Sequence, residues 1–261
     1  MLTGIAAPKV KIFADGADLA GMKELARNPL IAGFTTNPSL MRKAGVADYK
    51  SFALEVLELI TDRPVSFEVF ADDFREMEQQ ALEIASWGDN VNVKIPVTNT
   101  KGVFAGELIE RLSRSGVHIN VTAVMTLDQV TEITSRLCAD TQAIISVFAG
   151  RIADTGRDPV PIMAQAVQVM KVKPMAELIW ASPRELLNVF QAAAIGCHII
   201  TATTDILKKL ALVGKDLQQY SRETVEMFYR DAQAAGYSIA PQPPGLPKAT
   251  DRPSRTGLEA R

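Results

Sequence analysis

Val91-Asn92-Val93-Lys94-Ile95-Pro96 reads as a short buried strand with a lysine inside it. In a strand, successive side chains point to opposite faces. Val91, Val93 and Ile95 therefore share one face, and Asn92, Lys94 and Pro96 share the other. A buried ammonium costs several kcal/mol unless it is paired or neutralised. Desolvation lowers a lysine pKa, and a neutral amine can attack a carbonyl to form a Schiff base. The plainer alternative is a lysine at a strand end that reaches out to water. The rest of the chain decides between the two.

Working outward, β-rich runs recur at 10–14, 32–35, 64–70, 91–95, 118–121, 143–148, 178–181 and 198–202. Helical patterns separate them at 19–26, 49–60, 73–87, 102–113, 127–138, 159–170, 184–194 and 205–211. Apolar residues in these segments fall three and four apart, as in Phe52, Val56, Leu57 and Ile60. Asp72, Thr126 and Pro183 read as helix-start signals. Strands alternating with helices imply parallel strands joined by crossovers, and eight such units predict an α/β fold, a single (β/α)8 TIM barrel. An open doubly wound sheet is the runner-up. It would carry a glycine-rich phosphate loop after its first strand, where this chain has Asp15-Gly16-Ala17-Asp18.

A further helix is expected at 215–235, with apolar residues sparse enough to suit a cover for the barrel or a crossing to a neighbouring subunit. The expected catalytic domain is 1–239 with that helix included. The Pro- and charge-rich tail, 240–261, is expected to be flexible. The 261 residues carry a net charge of -2, and no basic patch stands out, so nucleic acid is not an expected partner. No apolar run is long enough to span a membrane, the N-terminus has no signal-peptide pattern, and Cys138 and Cys197 are far apart. A cytoplasmic protein is expected.

Parallel barrel strands are normally near-continuous apolar runs. Here most break that rule near their C-terminal ends. Asp15 ends the first, and Thr35 and Asn37 share a parity at the end of the second. Glu68 shares a face with Ser66, Lys94 with Asn92, and Asn120 with Thr122; Ser146 sits in the sixth and Ser182 ends the seventh. In a closed barrel these groups converge on one cavity. One lysine supplies a nucleophile, and Asp15 and Glu68 supply acids and bases, so a carbon–carbon bond beside a ketone can break without a metal. The two histidines, His118 and His198, lie in separate strands without ligand spacing, so neither a metal nor a cofactor is expected. Arg151 follows the sixth strand, and Ser182 and Arg184 follow the seventh. With Arg184 in the first turn of a helix, these residues form a candidate phosphate site.

These motifs resemble the transaldolase family. Thr35-Thr36-Asn37-Pro38-Ser39 is similar to its TTNPS signature, and Val93-Lys94-Ile95-Pro96 to its Schiff-base lysine block. Phe13-Ala14-Asp15, Asn120-Val121-Thr122, Phe148-Ala149-Gly150-Arg151-Ile152 and Ala181-Ser182-Pro183-Arg184 resemble further blocks, in the same order. The resemblance spans residues 11–239. It implies that Lys94 forms the Schiff base, that Asp15 is the acid/base for bond cleavage, and that Glu68 and Thr122 hold a proton-shuttling water. It implies that Asn37 and Asn120 bind substrate hydroxyls, that Ser146 lies near the donor, and that Arg151, Ser182 and Arg184 bind phosphate.

Within the family, fructose-6-phosphate aldolases have Gln and Tyr where this chain has Glu68 and Phe148, whereas transaldolases have Glu and Phe. Transfer of a dihydroxyacetone unit between sugar phosphates, as in the pentose phosphate pathway, is therefore expected over its release. A fructose-6-phosphate aldolase, a sulfosugar-phosphate transaldolase and a non-enzymatic phosphosugar-binding barrel are the alternatives. Pro183 stands where the family commonly has Phe, beside the phosphate site. The resemblance also implies a homo-oligomer, a pentamer or decamer.

Overall fold

The structure, a computed structural model, describes residues 9–239. The strands are β1 (Lys11–Asp15), β2 (Ile31–Thr35), β3 (Val65–Glu68), β4 (Val91–Pro96), β5 (Ile119–Val124), β6 (Ala143–Val147), β7 (Ala176–Trp180) and β8 (Ile199–Thr203). Each pairs in parallel with its sequence neighbours, and β8 pairs back onto β1, closing the expected (β/α)8 barrel. The helices are α1 (Leu19–Ala26), α2 (Pro38–Lys43), α3 (Tyr49–Leu59), α4 (Phe74–Ala85), α5 (Gly106–Arg114), α6 (Leu127–Arg136), α7 (Ala149–Asp154), α8 (Val160–Met170), α9 (Leu187–Ala194), α10 (Thr204–Lys208) and α11 (Leu217–Ala234).

Local chemistry explains most helix starts. Asp18, Asn37, Asp48 and Thr126 each accept a hydrogen bond from a backbone N–H three residues on, at the beginning of α1, α2, α3 and α6. Thr126 does so in a reciprocal capping box with Gln129. At α4 the cap is Asp73, not Asp72; Asp72 instead binds the N–H and hydroxyl of Thr100. The helix expected from residue 102 begins only at Gly106. Gly102 takes φ +77° in a turn, and Phe104 bridges back to Thr98. The helix expected at 184–194 starts at Leu187. Pro183 and Arg184 lie in the bend before it, where the Asn188 side chain accepts the Arg184 N–H. The helix expected at 205–211 is the short α10 followed by a 3-10 turn, Lys209–Leu212.

The barrel strands carry two apolar layers. Val91, Val93 and Ile95 face the helices as part of the main core. Inside the barrel a smaller cluster, Phe13, Ile144, Ile179, Ala181 and Ile199, fills the interior. Gly33 is required there, because a Cβ at that position would lie 2.6 Å from the Phe13 ring. The plug closes the barrel below its C-terminal mouth.

The chain divides into two compact units, one up to Val213 and one from Gly214. The barrel is the first. The second contains α11, which Asp216 caps through the Gln219 N–H and which Lys215 and Glu223 pair across. The proline-rich tail, 240–261, lies outside the described residues. No helix among the described residues is long and apolar enough to cross a membrane.

Candidate active site

Register places the polar residues in rows around the mouth. Glu68 on β3 is opposite Lys94 on β4, and Lys94 is opposite Asn120 on β5. Thr122 pairs with Pro96, one step nearer the mouth. Asp15 on β1 lies between Thr35 on β2 and Thr203 on β8. Strand alternation turns all of these toward the barrel axis.

Lys94 is 6% exposed. Its Nζ donates to the Thr36 carbonyl at 2.9 Å and lies 3.0 Å from Glu68 Oε2. The ammonium is thus paired and hydrogen-bonded, as a buried charge must be. This excludes the reading of a lysine that merely reaches out to water. Glu68 is itself held from behind. The Tyr49 hydroxyl accepts the Glu68 N–H at 2.7 Å and donates to the Glu68 carbonyl at 2.9 Å. β2 and β3 pair only as far as Thr35 and Ser66, so Tyr49 supplies hydrogen bonds that a neighbouring strand would have made. Burial raises the Tyr49 phenol well above its ordinary value, which keeps it protonated and able to donate.

Asp15 is half-buried by surface, but its carboxyl is enclosed in the mouth of the barrel. Burial raises its pKa. The nearby Lys94 charge and the Thr35 hydroxyl, 2.8 Å away, oppose that rise, while the Glu68 charge adds to it and Asn37 opposes it weakly. A carboxyl raised toward neutrality beside an amine is suited to exchanging protons with substrate. Asn37 also accepts the Leu40 N–H at 3.0 Å, which fixes its side chain at the start of α2.

Ser66, Asn120 and Ser146 form a buried chain. Ser146 donates to Asn120 Oδ1 at 2.7 Å, and Asn120 Nδ2 donates to Ser66 Oγ at 3.2 Å. Thr122 Oγ1 is buried and has no hydrogen-bond partner among the described residues. Buried hydroxyls are nearly always bonded, so this one fits a bound water or substrate oxygen. The next residue, Ala123, adopts φ +62°, and the β5–β6 register shifts there. Such strain is costly for a residue with a Cβ and collects at functional sites.

The residues of the expected phosphate site lie at one corner. Arg151 is in α7, with its guanidinium 5.3 Å from the centre of the Phe148 ring. Ser182 follows β7 with φ +59°. Arg184 Nη1 donates to Ser182 Oγ at 3.2 Å, and Arg184 Nε donates to Asp154 Oδ1 at 2.8 Å. The expectation of Arg184 in a first helical turn fails, because α9 begins three residues later. A 240 Å³ cavity at this corner is lined by Asp15, Ser182, Arg184 and Thr201 among others.

Sequence reasoning missed several participants. Thr201 on β8 is buried, and its Oγ1 lies 2.5 Å from Thr35 Oγ1. Thr201 and Thr203 share a parity in the eighth strand, so the habit read in seven strands also marks this one. Tyr49 and the Thr36 carbonyl gave no such signal, since a helix residue and a backbone oxygen carry no strand parity. His198 Nδ1 accepts the Leu178 N–H at 3.0 Å, a structural role.

Comparisons with known proteins show the family. Residues 12–239 match the family described as Transaldolase/Fructose-6-phosphate aldolase. A protein of Dehalococcoides mccartyi named "Probable transaldolase" is 35% identical over 77% of this chain and 90% of its own length. A "Probable transaldolase" of Thermoanaerobacter sp. is 32% identical over 88% of this chain and 100% of its own. A designed cube-shaped, highly porous protein cage, built by fusing symmetric oligomeric domains, shares the fold. It has a TM-score of 0.52 at 11% identity, over 87% of this chain and 80% of that one. The lysine block, the aspartate and the TTNPS turn thus lie within the matched region, and the chain belongs to the transaldolase/fructose-6-phosphate aldolase family.

Proposed function

We propose that this enzyme transfers a dihydroxyacetone unit from a ketose phosphate to an aldose phosphate through a Schiff base on Lys94. The observation that carries the proposal is the buried Lys94 amine, 3.0 Å from the Glu68 carboxylate in the same mouth as Asp15. Glu68 is positioned to take a proton from the ammonium. The neutral amine then attacks the ketose C2 carbonyl, and loss of water leaves an iminium. Asp15 removes the C4 hydroxyl proton, the C3–C4 bond breaks, and the aldose phosphate departs. The electron pair remains on the iminium-conjugated carbon as an enamine. The acceptor aldehyde is attacked by that carbon, and Asp15 returns its proton. Hydrolysis of the new iminium frees the product and regenerates Lys94, with Glu68 and Thr122 holding the water.

The Ser146–Asn120–Ser66 chain and Asn37 face the sugar hydroxyls in this reading. Arg151, Ser182 and Arg184 hold the phosphate. Phe148 supports transfer over release, since its ring has no hydroxyl with which to orient water at the enamine.

The test follows glyceraldehyde 3-phosphate release from fructose 6-phosphate, with and without erythrose 4-phosphate. Release that requires the acceptor is expected. Sustained release without it, together with free dihydroxyacetone, would replace this reading with the aldolase.

A further inference from the structure

Arg184 has two hydrogen-bonding edges. One is formed by Nε–H with Nη2, the other by Nη1 with Nη2. Asp154, the last residue of α7, occupies the first edge completely. Its Oδ1 accepts from Nε at 2.8 Å and its Oδ2 accepts from Nη2. Ser182 Oγ takes one Nη1 hydrogen at 3.2 Å. The backbone is fixed as well, by the Arg184 N–H donating to Asn188 Oδ1 at 2.8 Å. Gly150 brings the start of α7 against the end of β7, so Asp154 and Arg184 belong to one rigid corner.

The edge that remains, Nη1 with Nη2, belongs to a residue lining the 240 Å³ cavity that also contains Asp15 and Thr201. We infer that Asp154 is a positioning residue. It holds the Arg184 side-on edge so that the end-on edge alone meets the anionic end of the substrate. The inference rests on the phosphate role proposed above for Arg184 and adds a residue to it. Asp154 touches no substrate atom in this account.

Magnitudes separate this role from a simple surface ion pair. Asp154 and Arg184 are 54% and 45% exposed, and exposed pairs contribute little to stability. Deleting the carboxylate therefore moves Tm by no more than about 4 °C. Freeing a long side chain that must be ordered again on binding weakens binding by about threefold to tenfold.

The experiment compares the wild type with Asp154→Asn and Arg184→Ala, with fructose 6-phosphate as donor. kcat/KM is measured for erythrose 4-phosphate and for erythrose, and the ratio of the two is the readout. The ratio is expected to fall about threefold to tenfold in Asp154→Asn, through KM for the phosphorylated sugar, and further in Arg184→Ala. Inorganic phosphate titrated calorimetrically gives the same comparison without turnover, and its Kd is expected to rise by a similar factor. An unchanged ratio in Asp154→Asn, with a collapsed one in Arg184→Ala, overturns the positioning role alone. A ratio that rises in Asp154→Asn also overturns it, because Asp154 would then compete with phosphate. An unchanged ratio in Arg184→Ala removes the phosphate reading, and the positioning role falls with it.

Discussion

Gly150→Ala tests how the proposed phosphate corner is built. A Cβ at Gly150 would lie 1.5 Å from the Ser182 carbonyl oxygen and 2.6 Å from its carbon. Real Cβ atoms essentially never come within 3.0 Å of a non-bonded heavy atom, so the carbonyl oxygen, at 1.5 Å, must retreat by the remaining 1.5 Å or so. Neither group is a side chain that can rotate away. Ser182 already sits at φ +59°, and the Gly150 N–H donates to the Ala181 carbonyl at 3.3 Å. Overpacking a well-filled site costs about 1–3 kcal/mol, and a backbone collision belongs at the upper end of that range. For a barrel of this size, 3 kcal/mol corresponds to a Tm loss of about 6–12 °C. Ser182 and Arg184 move with the displaced backbone, so KM for a phosphorylated acceptor should rise at least tenfold. Lys94 lies on β4, across the barrel, and should still be trapped by borohydride. Thermal unfolding and steady-state kinetics measure both effects. A Tm within 2 °C of the wild type and an unchanged KM would refute the close approach of α7 to the end of β7.

Asp15→Asn is expected to abolish turnover yet raise Tm at neutral pH. The folded Asp15 pKa is raised, mainly by burial. Between the ordinary value of 3.8 and that raised value the native state binds more protons than the unfolded one, so the wild type loses stability as pH rises through the window. The gain from Asp15→Asn should vanish below pH 3.8; an Asn variant less stable than the wild type at pH 7 would contradict this. Tyr49→Phe removes the single oxygen that serves both the N–H and the carbonyl of Glu68. Unfolding should register a loss of about 1–3 kcal/mol, and kcat should fall while KM for the sugars stays put. Wild-type kcat would show that Glu68 is held by β4 alone.

Much of the barrel is written in local pattern. Strand parity turns Lys94 away from Val93 and Ile95, and seven strands announce a polar end in the same way. The site residues so marked do gather at one mouth. The choice of partner is a different matter, because it depends on register between strands. Glu68 meets Lys94 because β3 and β4 align at that row, and no spacing within either strand reveals this. Tyr49 reaches Glu68 from a helix, and Asp154 reaches Arg184 across 30 residues of sequence. Arg184 was misplaced for a local reason. Ala-Ser-Pro-Arg resembles a helix start, but the chain spends Ser182 on a left-handed turn and α9 begins later. The short helices α2 and α7, six residues each, hold too little periodicity to be read.

The central claim is a covalent bond at Lys94. The most direct test incubates the enzyme with fructose 6-phosphate and sodium borohydride, then maps the modified peptide by mass spectrometry. The account predicts a dihydroxyacetone-derived adduct on Lys94, none on other lysines, and loss of both adduct and turnover in Lys94→Ala. Continued turnover in Lys94→Ala, or an adduct on a different lysine, would contradict it.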